Sequence, residues 1–130
     1  MTGLLLIGCS GDPARDEASA VVRVVTELRM ASNDQKAIPL ERLRRLACAH
    51  AHVRQTRDAC VAAFQHHVRG VALGRQLGAA LDGGAPTGVA AGGPDLTAQL
   101  VEMNLEIEEA SRLLPECEAL MAALRRRHRL

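Results

Sequence analysis

The 130-residue chain has no tryptophan, no tyrosine and a single phenylalanine, Phe64. Aromatic and β-branched residues build strands and wall cofactor pockets, so their scarcity argues against a β-rich fold and a deep site for a flat cofactor. Beyond the first nine residues there is no run of ~18 uncharged apolar residues, which excludes a conventional membrane-spanning helix. No CxxC pair, phosphate-binding glycine loop or nucleophile–base pair of recognisable spacing is present. The expectation is a non-enzyme, with no catalytic residue, no resident metal and no cofactor. The formal net charge of +1 argues against a dedicated nucleic-acid binder.

What is abundant points to helices. Hydrophobic residues make up 48% of the chain, and Ala, Leu, Arg and Glu are strong helix formers. One domain is expected at this length. Charge is segregated. Residues 36–75 carry eight basic and two acidic side chains, whereas residues 95–118 carry seven acidic and one basic. Two neighbouring helices of opposite sign account for this pattern.

Asp12-Pro13 is a helix start: Asp caps and Pro fits the first turn. Ala18, Val21, Val25 and Leu28 follow at helical spacing, with an end expected at Ser32-Asn33-Asp34. Pro39 opens a second helix. Its heptad seam runs Leu43, Leu46, His50, Val53, Arg57, Cys60, Phe64, His67, Val71, Gly74, Gly78, Leu81. No Gly or Pro falls within residues 40–69, so one unbroken helix is expected. Residues 83–94 form a Gly-rich loop. Asp95 then caps a third helix with the seam Leu96, Leu100, Met103, Ile107, Ala110, Leu114, Cys117, Met121, Leu124. Pro115 predicts a kink or short break inside it. The expected fold class is therefore all-α: an antiparallel hairpin whose open side is covered by the N-terminal helix, a three-helix bundle spanning residues 10–130.

In an antiparallel hairpin, residues equidistant from the turn sit level. Cys60 and Cys117 are centred on the Gly-rich loop and lie on both seams, which predicts a Cys60–Cys117 disulfide if folding occurs outside the cytoplasm. Cys48 is left over. A metal reading would pair Cys48 with His52 and Cys60 with His67, with His50 and His66 nearby, but the two pairs point to different faces of one straight helix. Glu102, Glu106 and Glu109 read as a solvated acidic stripe. Gly70, Gly74 and Gly78 form a small-residue stripe, and Arg125-Arg126-Arg127-His128-Arg129 is a basic tail that suits a helix C-terminus.

Residues 4–9 read Leu-Leu-Leu-Ile-Gly-Cys, and Leu6-Ile7-Gly8-Cys9 resembles the lipobox of bacterial lipoproteins. The resemblance covers the first nine residues. It implies a signal remnant at 1–9, lipidation of Cys9 by acyl chains such as palmitate, and a membrane anchor in the bacterial envelope. A complete signal has a positive segment and an apolar run of about 7–15 residues; only Met1 and Thr2 precede Gly3 here, so either the true start lies upstream or the start is trimmed or misassigned. The block at residues 47–64 also resembles small cysteine-containing helical lipoproteins, without implying an activity. The functional expectation is a membrane-anchored binding or structural module with an unknown protein partner. Two alternatives stand beside it: a cytoplasmic helical adaptor dimerising through its heptad seams, and a small metal-binding protein.

Overall fold

The computed structural model describes residues 11–82 and 94–130. Four α-helices follow in order: α1 (Pro13–Met30), α2 (Ala37–Arg45), α3 (Ala51–Asp82) and α4 (Pro94–His128), with a 3-10 turn at Asn33–Gln35 between α1 and α2. No strand occurs among the described residues.

The start of α1 is built as its sequence dictates. Asp12 Oδ1 accepts from the amides of Ala14 and Arg15 at 3.1 and 3.4 Å, satisfying donors that have no partner within the helix. Ala18, Val21, Val25 and Leu28 are fully buried, with Val24 beside them. The helix ends at Met30, where Ala31 turns to extended backbone.

The long second helix is not continuous. It breaks between Arg45 and Ala51, so the described residues form four helices rather than three. The reason lies in α1. The Glu17 carboxylate accepts from the amides of Ala49 and His50 at 2.9 and 3.2 Å. It thereby holds the backbone just ahead of α3 from another helix and stabilises an interruption that no Gly or Pro announces. Arg57 Nη1 donates to the Leu46 carbonyl at 2.7 Å, and Arg54 Nη1 to that of Cys48 at 3.3 Å, so carbonyls freed by the break also find partners. The short α2 can then turn away from the α3 axis, and its Leu40 and Leu43 join the α1 core.

α3 and α4 form the expected hairpin, joined by the Cys60–Cys117 disulfide with a Cα–Cα distance of 4.7 Å. The Gly-rich connection at 83–93 lies outside the described residues, and Pro94 belongs to α4. Asp95 accordingly sits in the first turn of α4 rather than capping it. Pro115 does not break α4. Both Pro115 and Ser111, whose carbonyl loses its intrahelical donor, are exposed, so the loss falls where water can compensate.

The core lies at one end of the hairpin. Val53, Cys60, Ala63 and Phe64 of α3 and Cys117, Met121 and Leu124 of α4 pack with the buried faces of α1 and α2. α1 ends before the hairpin does. As a result Leu100, Ile107 and Leu114 on the α4 seam stay 47%, 37% and 38% exposed, and Leu81 on α3 is 66% exposed. The two long helices still approach closely there. An added Cβ at Gly70 would lie 2.6 Å from Ile107 Cδ1, and one at Gly74 3.2 Å from Met103 Sδ. The first two positions of the glycine stripe are thus contact points within the hairpin.

Candidate functional site

Where α1 stops, a half-open cavity of about 300 Å³ remains between its last turn, the 3-10 turn and the hairpin. Its apolar wall comes from Ala63 and Phe64 of α3 and Ile107, Ala110 and Leu114 of α4; its polar rim comes from Arg29, Asn33, Lys36, His67, Ser111 and Glu118. A concave apolar surface with a few polar groups is the usual form of a small-molecule site.

Local helix chemistry places the cations. Lys36 is only 8% exposed. Its Nζ donates to the carbonyls of Leu28 and Arg29 at 2.7 and 3.2 Å, satisfying acceptors at the end of α1, where the helix dipole favours positive charge. Burial pushes the Lys36 pKa below that of an ordinary lysine. Across the rim, His67 Nε2 meets Asn33 Oδ1 at 3.3 Å. Its pKa is lowered by burial and then by the charge of Lys36, which favours neutral imidazole. Arg29 forms an ion pair with Glu118. The contact runs from Nη2 to Glu118 Oε2 without aligned hydrogen-bond geometry, and Nε is buried with no acceptor.

A histidine cluster occupies the opposite end of the bundle. His50 Nδ1 donates to Glu17 Oε2 at 2.9 Å. The amide of Ala49, then the His50 ring, burial working against them, and the amide of His50 together bring the Glu17 pKa from 4.5 to about 2. The carboxylate is therefore anionic, and the proton resides on His50 Nδ1. His52 and His128 meet through their Nε2 atoms at 2.8 Å. The backbone carbonyl of His128 accepts from Arg15 Nε at 3.1 Å, tying the end of α4 to α1.

The other residues singled out in the sequence are dispersed. His66 Nδ1 donates to Glu106 Oε2 at 2.6 Å, and Arg69 lies 3.7 Å from the same carboxylate. Glu106 is therefore drawn into the α3–α4 contact rather than belonging to a free acidic stripe, while Glu109 pairs with Arg112. The opposite charge blocks meet mainly at that point. Cys48 is a free, partly buried thiol. Burial raises its pKa despite the opposing charge of Arg57, so it is not an activated nucleophile. Among the described residues, no three His, Cys, Asp or Glu side chains converge as a metal site would need. The basic tail ends α4: Arg129 adopts a positive φ of 54° and the Leu130 amide returns to the Arg125 carbonyl at 3.0 Å, closing the helix in left-handed conformation. Cys9 lies outside the described residues, and no described helix is long and apolar enough to cross a membrane.

Sequence reasoning missed Glu17, Arg29 and Lys36. Each acts on backbone or charge distant along the chain, and none carries a local motif. No protein-family model, curated protein or solved structure matches this chain.

Proposed function

We propose that this chain is a non-enzymatic, lipid-anchored helical module of a bacterial envelope, attached through Cys9 and presenting its bundle as a binding domain. The observation that carries this reading is the disulfide between Cys60 and Cys117, 57 residues apart. Disulfides persist in oxidising compartments and are rare in the cytosol. A Leu-Leu-Leu-Ile-Gly-Cys start supplies a means of export and attachment, and the half-open cavity supplies a surface that can bind. Acyl chains on Cys9 would contribute about 0.8 kcal/mol of membrane affinity per buried methylene. The test is fractionation of a bacterium that processes lipoproteins. The chain should sediment with membranes, and Cys9→Ala should move it to the soluble fraction; a chain that is soluble with Cys9 intact contradicts the anchor.

A second reading is favoured by one feature. Leu100, Ile107 and Leu114 recur every seven residues and are open, the pattern of a seam that a second copy could cover. A cytoplasmic adaptor of this kind would have reduced cysteines and a mass in solution that doubles with concentration, and Ile107→Glu would keep it monomeric.

A further inference from the structure

Arg29 is only half used. Its Nη2 touches Glu118 Oε2 without aligned hydrogen-bond geometry, and its Nε is buried with no acceptor. These two nitrogens form the side-on fork of a guanidinium, the geometry that matches a carboxylate. The chain uses the same fork elsewhere: Arg112 donates from Nε to Glu109 Oε2 at 2.9 Å and from Nη2 to Oε1. A buried Nε without an acceptor is costly, so a carboxylate that accepts from both nitrogens is favoured over the one-point contact that Glu118 makes through Nη2.

The surroundings define the rest of the ligand. Arg29 and Lys36 set two positive charges on the rim against the single acid Glu118. Lys36 Nζ is held by the carbonyls of Leu28 and Arg29, so it contributes charge to the rim. One fork suits one carboxylate. The wall opposite is aliphatic apart from Phe64, and Ile107 and Leu114 remain over a third exposed. Covering them removes apolar surface from water. A cavity of about 300 Å³ is at the small end of small-molecule sites, roughly 300–1,000 Å³, which fits a medium-length chain rather than a long one.

We propose that the cavity binds a medium-chain aliphatic monocarboxylate, its carboxylate on Arg29 Nε and Nη2 in place of Glu118 and its chain against Phe64, Ile107, Ala110 and Leu114. Glu118 is the internal stand-in for that carboxylate. Its side chain is 45% exposed, so it can swing to solvent when the ligand enters. This inference rests on the binding-module part of the proposed function and is independent of the lipid anchor.

The experiment is isothermal titration of decanoate into the purified, oxidised full chain, with decanol and decylamine as controls of matched length. Decanoate should bind saturably at one site, and both controls should bind more weakly. Arg29→Gln should weaken decanoate binding by roughly tenfold or more, through loss of the charged fork, and Arg29→Lys should restore part of it. Glu118→Gln removes the competing carboxylate and should tighten binding. Circular dichroism checks that each variant folds. The proposal is overturned if decanoate does not bind saturably, if decylamine or decanol binds as tightly, or if folded Arg29→Gln binds as well as the parent. Should Arg29→Gln fail to fold, Glu118→Gln decides alone, and unchanged or weaker affinity overturns the proposal. A binding failure in a chain acylated at Cys9 would remove the ligand and leave the anchor standing; saturable binding by a chain that fractionates as soluble with Cys9 intact would keep the ligand and remove the anchor.

Discussion

His52 and His128 meet nitrogen to nitrogen, Nε2 to Nε2 at 2.8 Å, with ring planes only 17° apart. The ring centroids are 5.1 Å apart, which with so short a nitrogen gap requires the rings to meet end to end rather than face to face. One imidazole donates and the other accepts, an arrangement that holds while at least one ring is neutral. It joins the first turns of α3 to the last turn of α4.

Acid should weaken this junction. The His52 pKa lies below 6.5, because burial disfavours its charge and Arg127, His128 and His50 repel it, with Glu17 opposing. The fold thus favours neutral His52. Its contribution to stability is complete above about pH 6.5 and is lost as pH falls through the lower folded value. Melting temperature followed by circular dichroism should drop between pH 7.5 and 5, and His52→Gln should flatten that dependence. Equal slopes in the two proteins would refute the role of the pair. Glu17 titrates in a separate window: with its pKa at about 2 instead of 4.5, its contribution is full above pH 4.5 and lost toward pH 2. Glu17→Gln should remove part of the second acid transition and leave the first.

The disulfide should account for much of the stability of the bundle. It spans 57 residues, and closing a loop of that length stabilises by about 4 kcal/mol in the chain-entropy model. Urea unfolding with and without reductant measures this directly. Reduction should lower the midpoint substantially, and Cys60→Ala with Cys117→Ala should behave like the reduced parent and no longer respond to reductant.

The glycine stripe should split into unlike positions. A methyl at Gly78 meets nothing within 4 Å, so Gly78→Ala should stabilise by about 0.5–1 kcal/mol through helix propensity. At Gly70 the added carbon would sit 2.9 Å from Ile107 Cγ1 as well as close to Cδ1. The Ile107 side chain must move there, so Gly70→Ala should be less stable than Gly78→Ala and should disturb the cavity that Ile107 lines. Thermal melts of the two variants give the order.

Much of the frame was legible because its causes are local. Asp12, Pro13 and the spacing of Ala18, Val21, Val25 and Leu28 define α1 without reference to the rest of the chain. The Cys60–Cys117 pairing followed from hairpin symmetry about the Gly-rich segment. The break before α3 was not legible, because Glu17 stabilises it from a different helix and residues 46–50 contain no breaker. Nor was the exposure of Leu100, Ile107 and Leu114. Their spacing is that of a buried seam, and only the end of α1 at Met30 decides how much of it is covered. The cavity lies at that boundary, so its residues come from three separate segments and share no motif.

Intact mass under non-reducing conditions, taken on the chain from membrane and soluble fractions of its native cell, tests the lipid-anchored, exported reading most directly. The expected species is found in the membrane fraction. It begins at Cys9, carries acyl mass and is lighter by two hydrogens, with peptide mapping placing the bond between Cys60 and Cys117. A soluble, fully reduced chain that begins at Met1 and carries no acyl group would contradict it.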